Sequence, residues 1–153
     1  MGVEIERKFL VKGEFRHLSV RSKRIRQSYL CIDPERVIRL RITDTEGLLT
    51  FKTMPHKGSF SRNEWEFEIP KGDAEEMLVL CLPGMIDKTR YIIPSGKHVF
   101  EVDVFHGKND GLIVAEIELS SESEEFERPD WLGDEVTGDP RYYNSSLVQG
   151  PIS

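Results

Sequence analysis

The amino-acid sequence predicts a mainly β (α+β) domain of about eight short antiparallel strands, arranged as a barrel or a sandwich, with few helices. Three observations carry this. Apolar and charged residues alternate with period two along most of the chain, turn chemistry interrupts the alternation, and helical periodicity is confined to short stretches.

Val3, Ile5 and Phe9 alternate with Glu4, Glu6 and Lys8, and Ile38, Leu40 and Ile42 with Arg39 and Arg41. Phe51 sits beside Lys52, and Trp65, Phe67 and Ile69 alternate with Glu64, Glu66 and Glu68. Val102 and Val104 alternate with Glu101 and Asp103, then Ile117 and Leu119 with Glu116 and Glu118. Stretches around Tyr29 and Lys88–Arg90 complete the set, with turns at Gly58-Ser59 and Lys108-Asn109-Asp110-Gly111. Asp73 followed by Glu76 reads as a capping-box-like start for a helix over Glu75–Leu80, ended by Pro83-Gly84. Ser121 and Glu124 predict a second short helix before Pro129, Gly13–Leu18 a single turn, and Asp139-Pro140 a capped last helix with proline at its first position. With no repeat, low-complexity tract or linker, one domain covers residues 1–153.

Charged residues make up 31% of the chain, above the usual quarter, so the question is where they sit. A net charge of −6 argues against broad binding to nucleic acid or anionic membranes, both of which need a basic surface. An acidic protein still binds a polyanion if its cations are focused in a cleft. Cys31 and Cys81 form no CxxC pair and read as buried free thiols. His17, His56, His98 and His106 lack metal-ligand spacing and read as surface or loop residues. Trp65 and Trp131 sit in patterns that suggest packing. The absence of a long apolar run and the opening MGVEIERKFLV lead to the expectation of a cytoplasmic protein, monomeric or homodimeric.

The charged strand faces admit two readings. One is a sheet whose polar side meets water, its charges paired for a few tenths of a kcal/mol each. Against it, these faces carry almost no Ser, Thr, Gln or Asn, and acids and bases are segregated by strand. The other is a closed barrel with a charged lumen, its apolar outer face covered by the helices. Such a lumen needs ligands of both signs, which a linear polyphosphate with divalent cations supplies. Arg and Lys suit phosphate oxygens, and clustered carboxylates suit hard Mg2+ or Mn2+ rather than zinc.

Glu4-Ile5-Glu6-Arg7-Lys8 resembles the ExExK signature of the CYTH superfamily, the triphosphate tunnel metalloenzymes. The rest follows in order: Tyr29 in a QxYL-like segment, Arg39-Leu40-Arg41, Lys52, Arg62 with Glu64-Trp65-Glu66, and Lys88-Thr89-Arg90-Tyr91. Glu101-Val102-Asp103, Glu116-Ile117-Glu118 and a closing stretch from Trp131 to Asn144 complete a match over nearly the whole chain.

The resemblance implies a closed eight-stranded antiparallel tunnel. It also implies that Glu4, Glu6, Asp103, Glu116 and Glu118 hold one or two metal ions, and that Arg39, Arg41, Lys52, Lys88 and Arg90 bind phosphates. Arg62 and Arg141 either join that cradle or make surface salt bridges. Glu64 and Glu66 match family positions on the lumen side, ranked below the metal acids because orienting a basic neighbour is an equally good role, and Glu68 and Glu101 are solvent or structural acids. Lys8 contacts phosphate or, with Tyr29, positions the attacking water; Glu118 or a second metal activates it. No nucleophilic side chain is required. The family includes hydrolases of inorganic, thiamine and RNA 5′-triphosphates and class IV adenylate cyclases. The short chain lacks an obvious base pocket and is most similar to the small bacterial tripolyphosphatases. A non-catalytic polyphosphate-binding module is disfavoured because the metal acids are retained.

Overall fold

The computed structural model describes residues 2–33, 35–53 and 61–152, with the side chains of Gly2, Glu4 and Ser61 outside that description. The turn expected at Gly58-Ser59, and His56, lie outside the described residues.

The alternating segments form β1 (Gly2–Val11), β2 (Arg21–Asp33), β3 (Arg36–Ile42), β4 (Gly47–Thr53), β5 (Ser61–Ile69), β6 (Ile86–Ser95), β7 (His98–Phe105) and β8 (Ile113–Glu118). A further short strand, β9 (Leu132–Glu135), pairs with β1, so one curled sheet holds nine strands rather than the expected eight. Its order is β5-β4-β3-β2-β6-β7-β8-β1-β9, its pairings among the described residues are antiparallel, and β1 also pairs with β5 from Gly2↔Glu64 to Ile5↔Ser61. β1 thus serves two neighbours in turn: its first half takes β5 and its second half takes β8, where Glu6 opposes Glu118 and Lys8 opposes Glu116. β9 approaches β1 closely, and a Cβ on Gly133 would stand 2.9 Å from the Leu10 carbonyl oxygen, so glycine is required there.

Period two gives each strand an inner and an outer face. The outer faces of β1, β7 and β8 bury Phe9, Phe100, Val102, Ala115 and Ile117 against Phe15, Trp131 and Leu132. On the other side Leu40 and Ile42 pack against Ala74 of the helix α1 (Lys71–Met77). On the inner face, the step beyond the charged residues turns apolar: Val37 precedes Arg39, Ile86 precedes Lys88, Phe105 follows Asp103 and Val114 precedes Glu116. These pack with Tyr29 against Leu147 and Val148, at the end of the short helix α2 (Asn144–Leu147). One end of the curled sheet is therefore filled by the C-terminal segment. Gly84 permits that seat, because a Cβ there would lie 2.2 Å from the Val148 carbonyl oxygen, and its φ is +102°.

The helices differ from expectation in detail. α1 starts at Lys71, and Asp73 lies in its first turn rather than capping it; a 3-10 turn, Leu78–Leu80, continues it. The helix expected from Ser121 and Glu124 is absent, because the Glu124 carboxylate accepts from Ser120 N (2.7 Å) and bonds His98 instead of capping a helix. Arg16–Leu18 forms the expected turn, and Pro140–Tyr142 is a 3-10 helix whose cap, Asp139, accepts from Arg141 N. Both cysteines are half-buried free thiols rather than fully buried ones. His17 is exposed, but His98 is strand-borne and half-buried, and His106 lies 2.7 Å from Thr89 Oγ1. Trp131 is packed, whereas Trp65 is exposed. Among the described residues no helix is long and apolar enough to cross a membrane.

Candidate active site

The inner faces of the strands line a narrow cavity of about 50 Å³. Lys8, Arg39, Arg41, Lys52, Arg62, Lys88 and Arg90 line it, against two lining carboxylates, Glu6 and Glu116; Tyr29, Tyr143, Asn144 and Ser145 complete the wall with Val37. All of these cations except Arg62 are buried. Charges of one sign taken out of water repel one another unless something neutralises them.

Neutralisation by the protein is incomplete. Asp103, behind the wall, is shared: its oxygens accept from Arg90 Nε (2.7 Å) and Nη2 (2.9 Å), and Lys88 Nζ lies 2.7 Å away. Burial alone would raise this carboxyl, and Arg90 and Lys88 overcome that to bring it down to about 2. Arg90 is raised despite burial because Asp103 and Glu101 face it. Lys88 holds only a share of one carboxylate, so burial and the nearby Arg90 and Arg41 push it down to about 7. Burial, Arg39 and Arg90 likewise hold Arg41 below the ordinary guanidinium value.

The remaining pairs are looser. Lys8 Nζ is 3.8 Å from Glu116 and donates to the Tyr142 carbonyl at 3.1 Å. Arg62 donates to Glu6 at 3.2 Å, and Lys52 lies 4.0 Å from Glu64. Arg39 reaches Thr50 Oγ1 at 3.3 Å and Glu66 at 3.6 Å, while its Nε is a buried donor with no acceptor among the described residues. Glu64 and Glu66 therefore do face basic neighbours, and Glu101 bridges to Arg90 at 3.3 Å.

Three expected site residues stand elsewhere. Arg141 is on the surface, bonded to Asp139 at 2.7 Å, because the 3-10 helix it sits in turns it outward. Asp103 is spent on Arg90 and Lys88 rather than presented to the cavity. Glu118 is exposed and lines a second, more open recess with Arg21, His98, Glu101 and Glu124. Glu4 is in register with Arg62, and its side chain lies outside the described ones. Sequence reasoning missed Gln27, fully buried in the polar wall, and Thr50, Tyr143 and Ser145. A glutamine inside a strand otherwise rich in charge was the available signal for the first.

Hard oxygen donors on the adjacent strands β1 and β8 fit a divalent ion. No group of three His, Cys, Asp or Glu converges among the described residues. That suits an ion held by one or two carboxylates, with water and substrate oxygens filling the other positions.

Comparison with known proteins agrees with this geometry. The chain is 45% identical over 152 residues to an inorganic triphosphatase of Acetivibrio thermocellus, covering 99% of this chain and 96% of that one. It is 38% identical over 150 residues to an inorganic triphosphatase of Nitrosomonas europaea, covering 95% and 96%. The crystal structure of an inorganic triphosphatase superposes with a TM-score of 0.70 at 34% identity, over 100% of this chain and 99% of the other. A CYTH domain is matched over residues 2–146. With the basic cavity and its flanking carboxylates in place on one curled sheet, this chain belongs to the CYTH domain family.

Proposed function

We propose that this protein is a metal-dependent inorganic triphosphatase that hydrolyses tripolyphosphate to pyrophosphate and phosphate. The observation that carries this is the excess of buried cations in the cavity, together with the acceptor-less Nε of Arg39. A linear triphosphate brings the negative charge and the many acceptor oxygens this wall lacks. In this reading the β1–β5 ladder closes the sheet into a tunnel.

Arg39, Arg41 and Arg90 grip phosphate oxygens through their planar forks, and Lys8, Lys52 and Lys88 act as point charges. Arg62 joins them from its pair with Glu6. Glu6 and Glu116, on the adjacent strands β1 and β8, would hold Mg2+ or Mn2+, with water and substrate oxygens filling the other positions. That ion supplies charge relief on the phosphoryl oxygens. Asp103 keeps Arg90 and Lys88 in place instead of ligating the ion.

Water attacks the terminal phosphorus in line, the new P–O bond forming as the bridging P–O bond breaks, and the electron pair leaves with pyrophosphate. The cation wall offsets the charge that builds on that leaving group. Lys8, whose Nζ lies 3.8 Å from Glu116, and the Tyr29 hydroxyl are wall donors that contact phosphate or position the attacking water.

The test is phosphate release from tripolyphosphate, ATP and thiamine triphosphate, each with Mg2+, Mn2+ or chelator, with Glu4→Gln and Glu6→Gln as controls. Metal-dependent turnover of tripolyphosphate that both variants lose is the expected result. Binding without release in any condition would leave a polyphosphate-binding module.

A further inference from the structure

The buried Gln27 belongs to no charge pair, yet it bonds three residues of the cavity wall, Arg41, Tyr29 and Asn144. Its Oε1 accepts from Arg41 Nε at 3.1 Å. Its Nε2 lies 3.2 Å from Tyr29 Oη and 3.1 Å from Asn144 Oδ1, and Lys88 Nζ donates to that same Asn144 oxygen at 2.8 Å.

The chemistry of the partners fixes both amides. A guanidinium only donates, so the Gln27 atom facing Arg41 is the oxygen. The nitrogen then faces Tyr29 and Asn144, and Asn144 must present its oxygen to receive it. Lys88 agrees, since it donates to the same atom. The two amide hydrogens of Gln27 are thereby assigned, one to Asn144 and one to the Tyr29 hydroxyl oxygen.

The consequence falls on Tyr29. Its oxygen is already an acceptor, so its own hydrogen must point elsewhere, and among the described residues no acceptor takes it. Tyr29 lines the cavity, so the free direction for that O–H is inward. Resting on the triphosphatase reading, we infer that Gln27 is a positioning residue: by donating to Tyr29 Oη and accepting from Arg41, it aims the tyrosine hydroxyl hydrogen at bound phosphate and holds the Arg41 fork beside it. Asn144, carried by α2, locks the amide in that orientation.

The test is a double-mutant cycle with Gln27→Met and Tyr29→Phe, reading kcat and KM for tripolyphosphate separately. With Tyr29 present, Gln27→Met is expected to lower kcat by roughly tenfold, the effect of one misdirected hydrogen bond. In the Tyr29→Phe background the same change is expected to lower kcat less than about twofold, while KM rises equally in both backgrounds through Arg41. Independent, multiplying kcat losses would overturn the inference. If Gln27→Met does not fold, as thermal melting would show, Asn144→Ala removes the other anchor of the amide and must show the same dependence on Tyr29. Calorimetric titration with tripolyphosphate in chelator separates this from the parent reading. A wild type that binds without hydrolysing defeats the triphosphatase reading, and the cycle in Kd then decides on Gln27. A wild type that does neither overturns both.

Discussion

Lys88 Nζ and Asp103 Oδ2 stand 2.7 Å apart inside the sheet, with 1% and 2% of their side chains exposed. Arg90 takes the same carboxylate at 2.7 Å, so one anion holds two buried cations. Asp103→Asn therefore strips Lys88 of its carboxylate and leaves Arg90 with Glu101 alone. The expected cost is about 3–5 kcal/mol of folding free energy, read by denaturant unfolding in chelator. If Asp103 served only to ligate metal, unfolding without metal would not change. The acid limb follows from the same pair. A carboxyl brought from 3.8 to about 2 gives stability that is complete above its ordinary value and is lost as pH falls towards 2.

Lys88 gives the opposite sign. Its folded value of about 7 lies below the ordinary 10.5, so the unfolded chain binds more protons between those values, and this group favours folding more as pH rises across that window. Burial disfavours the charged form of this lysine in the ligand-free protein, and phosphate oxygens favour it. Binding of tripolyphosphate near pH 8 should take up a proton. Calorimetry in two buffers of different ionisation enthalpy checks this, and Lys88→Met should abolish the uptake.

The carboxylates on β1 and β8 should separate chemistry from binding. Glu6→Gln and Glu116→Gln are each expected to lower metal-dependent turnover by roughly 100-fold. In chelator the same variants should bind tripolyphosphate as tightly as wild type or more so, because a negative charge has left the wall. Weaker binding in chelator would assign these acids to orienting Arg62 and Lys8 instead.

Arg141 serves as the counter-case. It is exposed and bonded to Asp139 outside the cavity, so Arg141→Ala should change kcat/KM less than about threefold. Arg39→Ala, which removes the acceptor-less donor, should weaken tripolyphosphate binding in chelator far more.

Period two made the strands legible, and with them Lys8, Arg39, Arg41, Lys52, Lys88 and Arg90, because alternation alone says which residues share a face. It does not say what lies across the face. Asp103 read as one more acid; only the register Arg90↔Asp103 shows that it belongs to its cationic neighbour. The sequence leaves Arg141 open between the cradle and a surface salt bridge, and Trp65 reads as packed; a short 3-10 helix and an uncovered patch of sheet, both set by tertiary packing, put each at the surface. The Ser121–Glu124 helix was lost to a longer-range partner, His98, competing for the capping carboxylate. Gln27 carries no charge, and its importance lies wholly in three side chains brought to it from β2, β3 and α2.

The C-terminal segment, seated by Leu147 and Val148 on Val37, Ile86, Phe105 and Val114, fills one end of the curled sheet, so in the triphosphatase reading substrate and product share the other. Traffic through it is two-way along a single lane: pyrophosphate has to back out past the cations that held the triphosphate before another can advance. Turnover then depends on how readily that wall lets go, and added pyrophosphate should behave as a competitive inhibitor. A chain much longer than the lumen is deep cannot thread through, so its surplus phosphates trail outside and only the leading end is within reach of the reacting groups.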